Sequence, residues 1–259
     1  MLDHVRFDAI LVEAGRIALG QWPGMGHAPA TWHKDDKSPV CAADLAVDAY
    51  LRRELGSLLP AAGWLSEETV DVSDRTEDSL IWLVDPIDGT RDFIRGRTGW
   101  AISVALISAG RPLLAGLFAP ARDEYWRAQA GKGAYRNDRP LRASQRAELP
   151  GARTPADVLP SADIDLTCVE RPNSIALRMA MVAADEADLV ASLRLGFEWD
   201  IGAAGLIARE AGAEVTDAFG APIAFNKRDP RAHGILVSAP GIHAAAVERI
   251  SERARRMSA

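Results

Sequence analysis

The run Leu80-Ile81-Trp82-Leu83-Val84-Asp85-Pro86-Ile87-Asp88-Gly89-Thr90 constrains this chain more than any other. Five consecutive apolar residues, Leu80 to Val84, predict a strand buried on both faces, and such a strand needs a layer of structure on each side. Pro86 cannot donate to a ladder and is expected to end the strand. Asp88-Gly89-Thr90 then predicts a tight turn, in which Gly89 takes a positive φ and lets a ligand come close to the backbone. Asp85 and Asp88 therefore fall at the carboxyl end of a buried strand, where ligands collect in α/β proteins. Asp-Pro and Asp-Gly are also ordinary turn formers, so this stretch by itself leaves a plain turn as an equal alternative.

The rest of the chain supplies the layers. Residues 3–20 predict an amphipathic helix with Val5, Ala9, Val12 and Leu19 on one side and Gly20 at its end. Residues 21–36 read as a long loop or lid, and its charge run Lys34-Asp35-Asp36-Lys37 as a solvated turn. Ser38-Pro39 precedes a second helix over 42–58, with Val47, Leu51, Leu55 and Leu58 inward and Asp44 and Asp48 one turn apart on another side. An acid in a first helical turn often serves only the dipole, which is the reading given to Asp48. Gly63–Ser66 reads as a strand end followed by Glu67 and Glu68, whose adjacent side chains diverge so that only one can face a site. Segments 100–107, 113–118, 124–128 and 134–136 predict an antiparallel meander, and 144–163 a linker or surface excursion. Further strands are expected over 165–170, 187–193, 214–216 and 235–238. Helices are expected from an Asn173 cap to about 184, from about 198 to Gly212, and over 241–256. The alternation argues for a layered α/β or α+β fold. It is read as one domain with two halves, about 1–150 and about 151–259, the second contributing Asp200.

Of the 259 residues, 48% are hydrophobic, enough for a large core. No apolar run reaches 18 residues, and the N-terminus has no signal-peptide pattern. Cys41 and Cys168 lie far apart in apolar segments and are expected to be buried thiols in a reducing compartment, the cytoplasm. A net charge of −6 disfavours a nucleic-acid polymer as partner and directs attention to a cation. The candidate ligands are all oxygens: Glu67, Asp85, Asp88, Asp200 and Asp44. The five histidines are scattered without a two-His helix motif, so zinc is disfavoured and Mg²⁺ favoured. Converging carboxylates repel unless divalent ions neutralise them. Such ions attract phosphate, and a pair of them can clamp both oxygens of a phosphoryl transfer.

Glu67-Glu68, then Asp85-Pro86-Ile87-Asp88-Gly89-Thr90, then Trp199-Asp200-x-x-Ala203-Ala204-Gly205, in this order and spacing, resemble the inositol monophosphatase family. Lys37-Ser38-Pro39 with Asp44 is similar to that family's upstream element, and the resemblance spans roughly residues 5 to 250. It implies an α-β-α-β-α sandwich of the inositol monophosphatase and fructose-1,6-bisphosphatase type. It also implies a homodimer and a lithium-sensitive phosphatase that uses two or three Mg²⁺ ions on a small phosphate ester. Carried over, Glu67, Asp85, the carbonyl of Ile87 and Asp88 bind the first metals. Asp88 bridges to a second ion shared with Asp200, and Asp44 lies near a third. Thr90 and Glu67 hold the attacking water, while the amides of Gly89 and Thr90, with Asp88 and Asp200 beside them, receive the substrate. The family's inositol-gripping glutamate falls on Leu193 here, with Glu198 as a substitute. Arg91-Asp92-Phe93 is similar to bisphosphate nucleotidases, and histidinol-phosphate phosphatases share a basic residue there. Arg171, Arg178 and Arg194 read either as surface arginines or as readers of a second phosphate. The alternative of another class is a catalytically silent sugar-phosphate-binding scaffold on the same fold.

Overall fold

The computed structural model describes residues 3–26, 29–33, 39–69 and 79–258. The charge run at 34–37 and Ser38 lie outside the described residues. In chain order the elements are α1 (His4–Leu19), β1 (Thr31–His33), β2 (Pro39–Cys41), α2 (Ala42–Leu58), β3 (Gly63–Ser66), β4 (Ile81–Asp88) and α3 (Thr90–Ile94). The meander follows as β5 (Ala101–Ser108), β6 (Arg111–Ala119), β7 (Glu124–Gln129), β8 (Ala134–Arg136) and β9 (Arg139–Pro140). Then come β10 (Arg153–Pro155), β11 (Thr167–Val169), α4 (Ile175–Ala183), β12 (Leu189–Phe197), α5 (Glu198–Glu210), β13 (Glu214–Thr216), β14 (Arg231–Ser238) and α6 (His243–Ser258).

A seven-stranded sheet in the order β3-β4-β5-β6-β7-β8-β9 carries the first half, parallel only at β3–β4. Side chains alternate across a strand, so the run in β4 serves two cores. Trp82 and Val84 pack with Phe7, Leu11, Val47 and Leu51 of α1 and α2. Ile81 and Leu83 pack with Met179 of α4 and Ile207 of α5. The other side of that helical layer meets Val190, Ile235 and Val237 of a three-stranded sheet, β12-β14-β13. Leu189 and Leu236 on its far face pack on Ala246 and Ile250 of α6. The sequence of layers is thus α-β-α-β-α, as the resemblance implied. No helix among the described residues is long and apolar enough to cross a membrane.

Several local expectations are corrected. β4 runs through Pro86 to Asp88, because a bulge between Asp85 and Asp88 takes the proline out of the ladder. The inward face of α1 is Phe7, Ile10, Leu11, Ala14 and Ala18, while Val5 is 80% exposed. That face is set by close approach to β6, where a Cβ on Gly116 would stand 3.0 Å from the Phe7 ring. Residues 144–163 are not a plain excursion: Ala152 is fully buried, and β10 pairs in parallel with β11. Cys168 is exposed on that two-stranded sheet, whereas Cys41 is buried. The N-cap of α4 is Ser174, whose hydroxyl accepts from Leu177 N, and not Asn173.

Candidate active site

The carboxyl ends of β3 and β4 and the starts of α3, α4 and α5 border one cavity of about 200 Å³. Glu67, Asp85, Ile87, Asp88, Gly89, Thr90 and Asp200 line it, with Arg91, Arg178, Asn173, Ile175 and Pro39 at its margins. Glu67 follows β3 directly, its N–H donating to Val84 O at 3.2 Å. Ile87 N donates to Asp85 Oδ1 at 3.0 Å, and this short loop is what the bulge accommodates. Gly89 sits at φ +94°, where a Cβ would stand 2.7 Å from Gly99 O and 2.9 Å from Ser174 N, so both backbone conformation and crowding demand glycine.

Two helices present an acid in the same way. Asp200 Oδ2 accepts from Phe197 N at 3.0 Å at the start of α5. Asp44 Oδ2 accepts from Cys41 N and from Cys41 Sγ, both at 2.8 Å, at the start of α2. These capping bonds satisfy orphan helix amides and fix each carboxylate in place. Glu67, Asp85 and Asp200 each offer an oxygen, and the three atoms lie within 4.8 Å of one another. Burial pushes the Asp85 carboxyl well above its usual value, and the charges of Glu67, Asp88, Asp200 and Asp44 push it further the same way. An oxygen cluster of this kind, with no nitrogen or sulfur ligand among the described residues, fits a hard divalent cation.

Each of the expected site residues has its own partners in the fold. Asp85 shares the three-oxygen cluster with Glu67 and Asp200. Asp88 lines the same cavity, but it accepts from Ser174 Oγ at 2.5 Å, Ala176 N at 2.7 Å and Ile175 N at 3.3 Å, and so ties the start of α4 to β4. Burial raises its pKa to about 6 against the downward pull of those bonds and of Arg178. The Thr90 hydroxyl lies 3.4 Å from Asp44 Oδ1 and donates to Ile87 O at 3.1 Å. Glu198 is fully buried away from the cavity, where its carboxylate accepts from Asn226 N at 2.5 Å and Lys227 N at 3.2 Å. It therefore cannot replace an inositol-gripping acid. Leu193 packs against the α6 core and lines a separate groove.

Sequence reasoning missed Asp48 and Ser174. Asp48 serves more than a helix dipole: it accepts from Ser66 Oγ and from Thr69 Oγ1, so it anchors both sides of the turn that carries Glu67. Its position one turn after Asp44, facing a strand that ends in Ser66, is the signal that could have found it.

A model of the inositol monophosphatase family matches residues 3–256. The chain belongs to that family. Among relatives of this inositol monophosphatase family member, Nus factor SuhB of Xylella fastidiosa is 33% identical over 230 residues, covering 82% of both chains. The inositol-1-monophosphatase of Rhizobium meliloti is 36% identical over 201 residues, 70% of this chain and 73% of the relative. The 3'(2'),5'-bisphosphate nucleotidase CysQ of Escherichia coli is 31% identical over 207 residues, 76% of this chain and 83% of the relative. The solved IMPase of Thermotoga maritima superposes with a TM-score of 0.81 at 25% identity, covering 96% of this chain and 97% of its own.

Proposed function

We propose that this protein is a Mg²⁺-dependent phosphate monoester hydrolase of relaxed specificity. The observation that carries the reading is the convergence of Glu67, Asp85 and Asp200 within 4.8 Å in a cavity that also holds Thr90. Glu67, Asp85, Asp200 and the Ile87 carbonyl would hold the cation, with a second oxygen surface available at Asp88. Bound there, Mg²⁺ supplies charge neutralisation, attraction for the phosphate and acidification of water. Asp44 orients the Thr90 hydroxyl, which is placed to hold the nucleophilic water and take part in moving its proton. The amides of Gly89 and Thr90, at a turn of positive φ, are assigned to the phosphate oxygens. Lithium inhibition, a homodimer in solution and a cytoplasmic location belong to the same reading.

Inositol needs acceptors for its ring hydroxyls, and neither Leu193 nor Glu198 reaches the cavity. A hydroxyl buried without a partner costs ~1–3 kcal/mol, so inositol monophosphate is read as a substrate that is accepted but not preferred. The test is hydrolysis of p-nitrophenyl phosphate, inositol monophosphate, histidinol phosphate, a bisphosphate nucleotide and fructose bisphosphate, after chelation and after Mg²⁺ is restored. Turnover that vanishes with chelation and returns with Mg²⁺ supports the reading. Turnover untouched by chelation, or none on any ester, refutes it. A preference above ~10³ for inositol monophosphate refutes the relaxed specificity.

A further inference from the structure

α2 carries two buried acids one turn apart, Asp44 and Asp48, and each touches a different part of the active site's frame. Asp44 Oδ1 lies 3.4 Å from the Thr90 hydroxyl. Asp48 is not among the residues that line the cavity. Its Oδ1 accepts from Ser66 Oγ, and its Oδ2 from Thr69 Oγ1 at 2.5 Å. The Ser66 hydroxyl oxygen in turn accepts from Glu68 N at 3.4 Å. Glu67 therefore has, on each side of it in the chain, a residue bonded to the same carboxylate.

Glu67 needs that support more than the other two acids of the cluster. β3 is four residues long and stands at one end of the seven-stranded sheet, with β4 as its neighbour there. The ladder ends with Ser66 opposite Val84, and Glu67 N donates once more, to Val84 O at 3.2 Å. Asp85, by contrast, lies within β4 opposite Ser103 of β5, and Asp200 is fixed at the start of α5 by the amide of Phe197. Glu67 is thus the ligand whose place depends on a turn, and its longer side chain adds one more torsion between backbone and carboxylate. Hydroxyls that donate to a carboxylate make charge-assisted bonds, about twice as strong as neutral ones. Losing them would leave a buried acid unpaired.

We propose that Asp48 is a positioning residue for the cation site. Through Ser66 and Thr69 it fixes the turn that presents Glu67. Asp44, on the same helix, stands beside Thr90, so α2 sets the spacing between a cation ligand and the water-orienting hydroxyl. The proposal rests on the hydrolase reading and adds to it a residue that touches neither cation nor substrate.

The test is calorimetric Mg²⁺ binding to the folded proteins, well below their melting temperatures. Asp48→Ala should weaken binding by about 10- to 100-fold, the usual cost of losing a group that orients a metal ligand. Asp48→Asn removes the charge but can still bond both hydroxyls, and should lose no more than about threefold. Thr69→Val, a change at a half-buried residue, should weaken binding by about threefold or more, and covers the case in which Asp48→Ala does not fold. With Glu67→Ala already in place, Asp48→Ala should have no further effect on Mg²⁺ affinity, because it acts through Glu67. Unchanged affinity in Asp48→Ala, or in Thr69→Val where Asp48→Ala does not fold, overturns the positioning role. So does an equal loss in Asp48→Asn and Asp48→Ala, which would assign the effect to charge, or a full further loss in the Glu67→Ala background. A wild type that binds no Mg²⁺ falls on the hydrolase reading instead. Amide hydrogen exchange in chelator then decides the positioning. The amides of Glu67 and Glu68 should exchange at least about tenfold faster in Asp48→Ala or Thr69→Val than in the wild type, with those of the β4–β5 pair unchanged. Equal exchange at Glu67 and Glu68 overturns it.

Discussion

Asp85→Asn separates the electrostatic account of the cavity from a purely structural one. One oxygen each of Glu67, Asp85 and Asp200 lies within 4.8 Å of the other two. At an effective dielectric constant near 20, two unit charges at that distance repel by about 3 kcal/mol, and Asp85 faces two such neighbours. With no cation, its carboxyl is therefore held well above the ordinary 3.8 by burial and by the surrounding charges. Between the unfolded value and the raised folded one, the native state binds more protons than the unfolded chain, so stability falls as pH rises through that window. Asparagine has no proton to lose. In chelator, the variant should match the wild type near pH 5 and exceed it by about 2 kcal/mol near pH 8.5, the gross repulsion being discounted for relaxation and for water in the cavity. For a chain of this size that is a melting-temperature gain of about 4–8 °C. Mg²⁺ at a hundred times its Kd should stabilise the wild type by about 2.7 kcal/mol, and the variant by much less, because one carboxylate of the cluster is neutral. The order of stability should thus reverse when Mg²⁺ is added. Thermal melts at the two pH values, in chelator and in Mg²⁺, provide the measurement. A variant less stable than the wild type in chelator at both pH values, or an equal Mg²⁺ shift in both proteins, refutes the reasoning.

Thr90→Ala should lower kcat by about 10²-fold with KM changed less than about threefold, since the hydroxyl is held by Asp44 and Ile87 to orient a water and not to bind substrate. Steady-state kinetics on p-nitrophenyl phosphate read this, and a rise in KM alone would reassign Thr90 to phosphate binding. Leu193→Glu should leave the ratio of inositol monophosphate to p-nitrophenyl phosphate turnover unaltered and cost about 1 kcal/mol of stability, because Leu193 packs against the α6 core. A tenfold gain for inositol monophosphate would show that this position reaches the cavity after all.

Elements whose signals are local were legible in the sequence. The run at 80–84 declares a strand buried on both faces because each neighbour serves a different core, and the 42–58 helix is bounded by its own pattern. What the sequence left open depends on partners distant along the chain. Asn173 and Ser174 are equally good caps by type, and the choice of Ser174 goes with its hydroxyl donating to Asp88, 86 positions away. Pro86 reads as a strand end unless the bulge is known, and a bulge has no period. The acids lining the cavity stand out in the sequence by their motifs, but the hydrogen bonds each of them makes do not. Nothing near Asp88 in sequence shows that the start of α4 turns a hydroxyl and two amides toward it. Glu198 looked available because nothing near it in sequence shows that Asn226 and Lys227 turn their amides toward it.

The layer formed by α4 and α5 has a consequence for how the chain matures. Leu83, Ala105 and Leu117 on one face of the seven-stranded sheet are covered by helices that leave the ribosome some sixty residues or more after β6 is complete. A sheet formed before then would present an apolar face to water, with Glu67 and Asp85 at its rim and Asp200 still to come. The arrival of α5 closes that face and brings in the last acid, so its docking couples burial of the sheet to completion of the oxygen cluster.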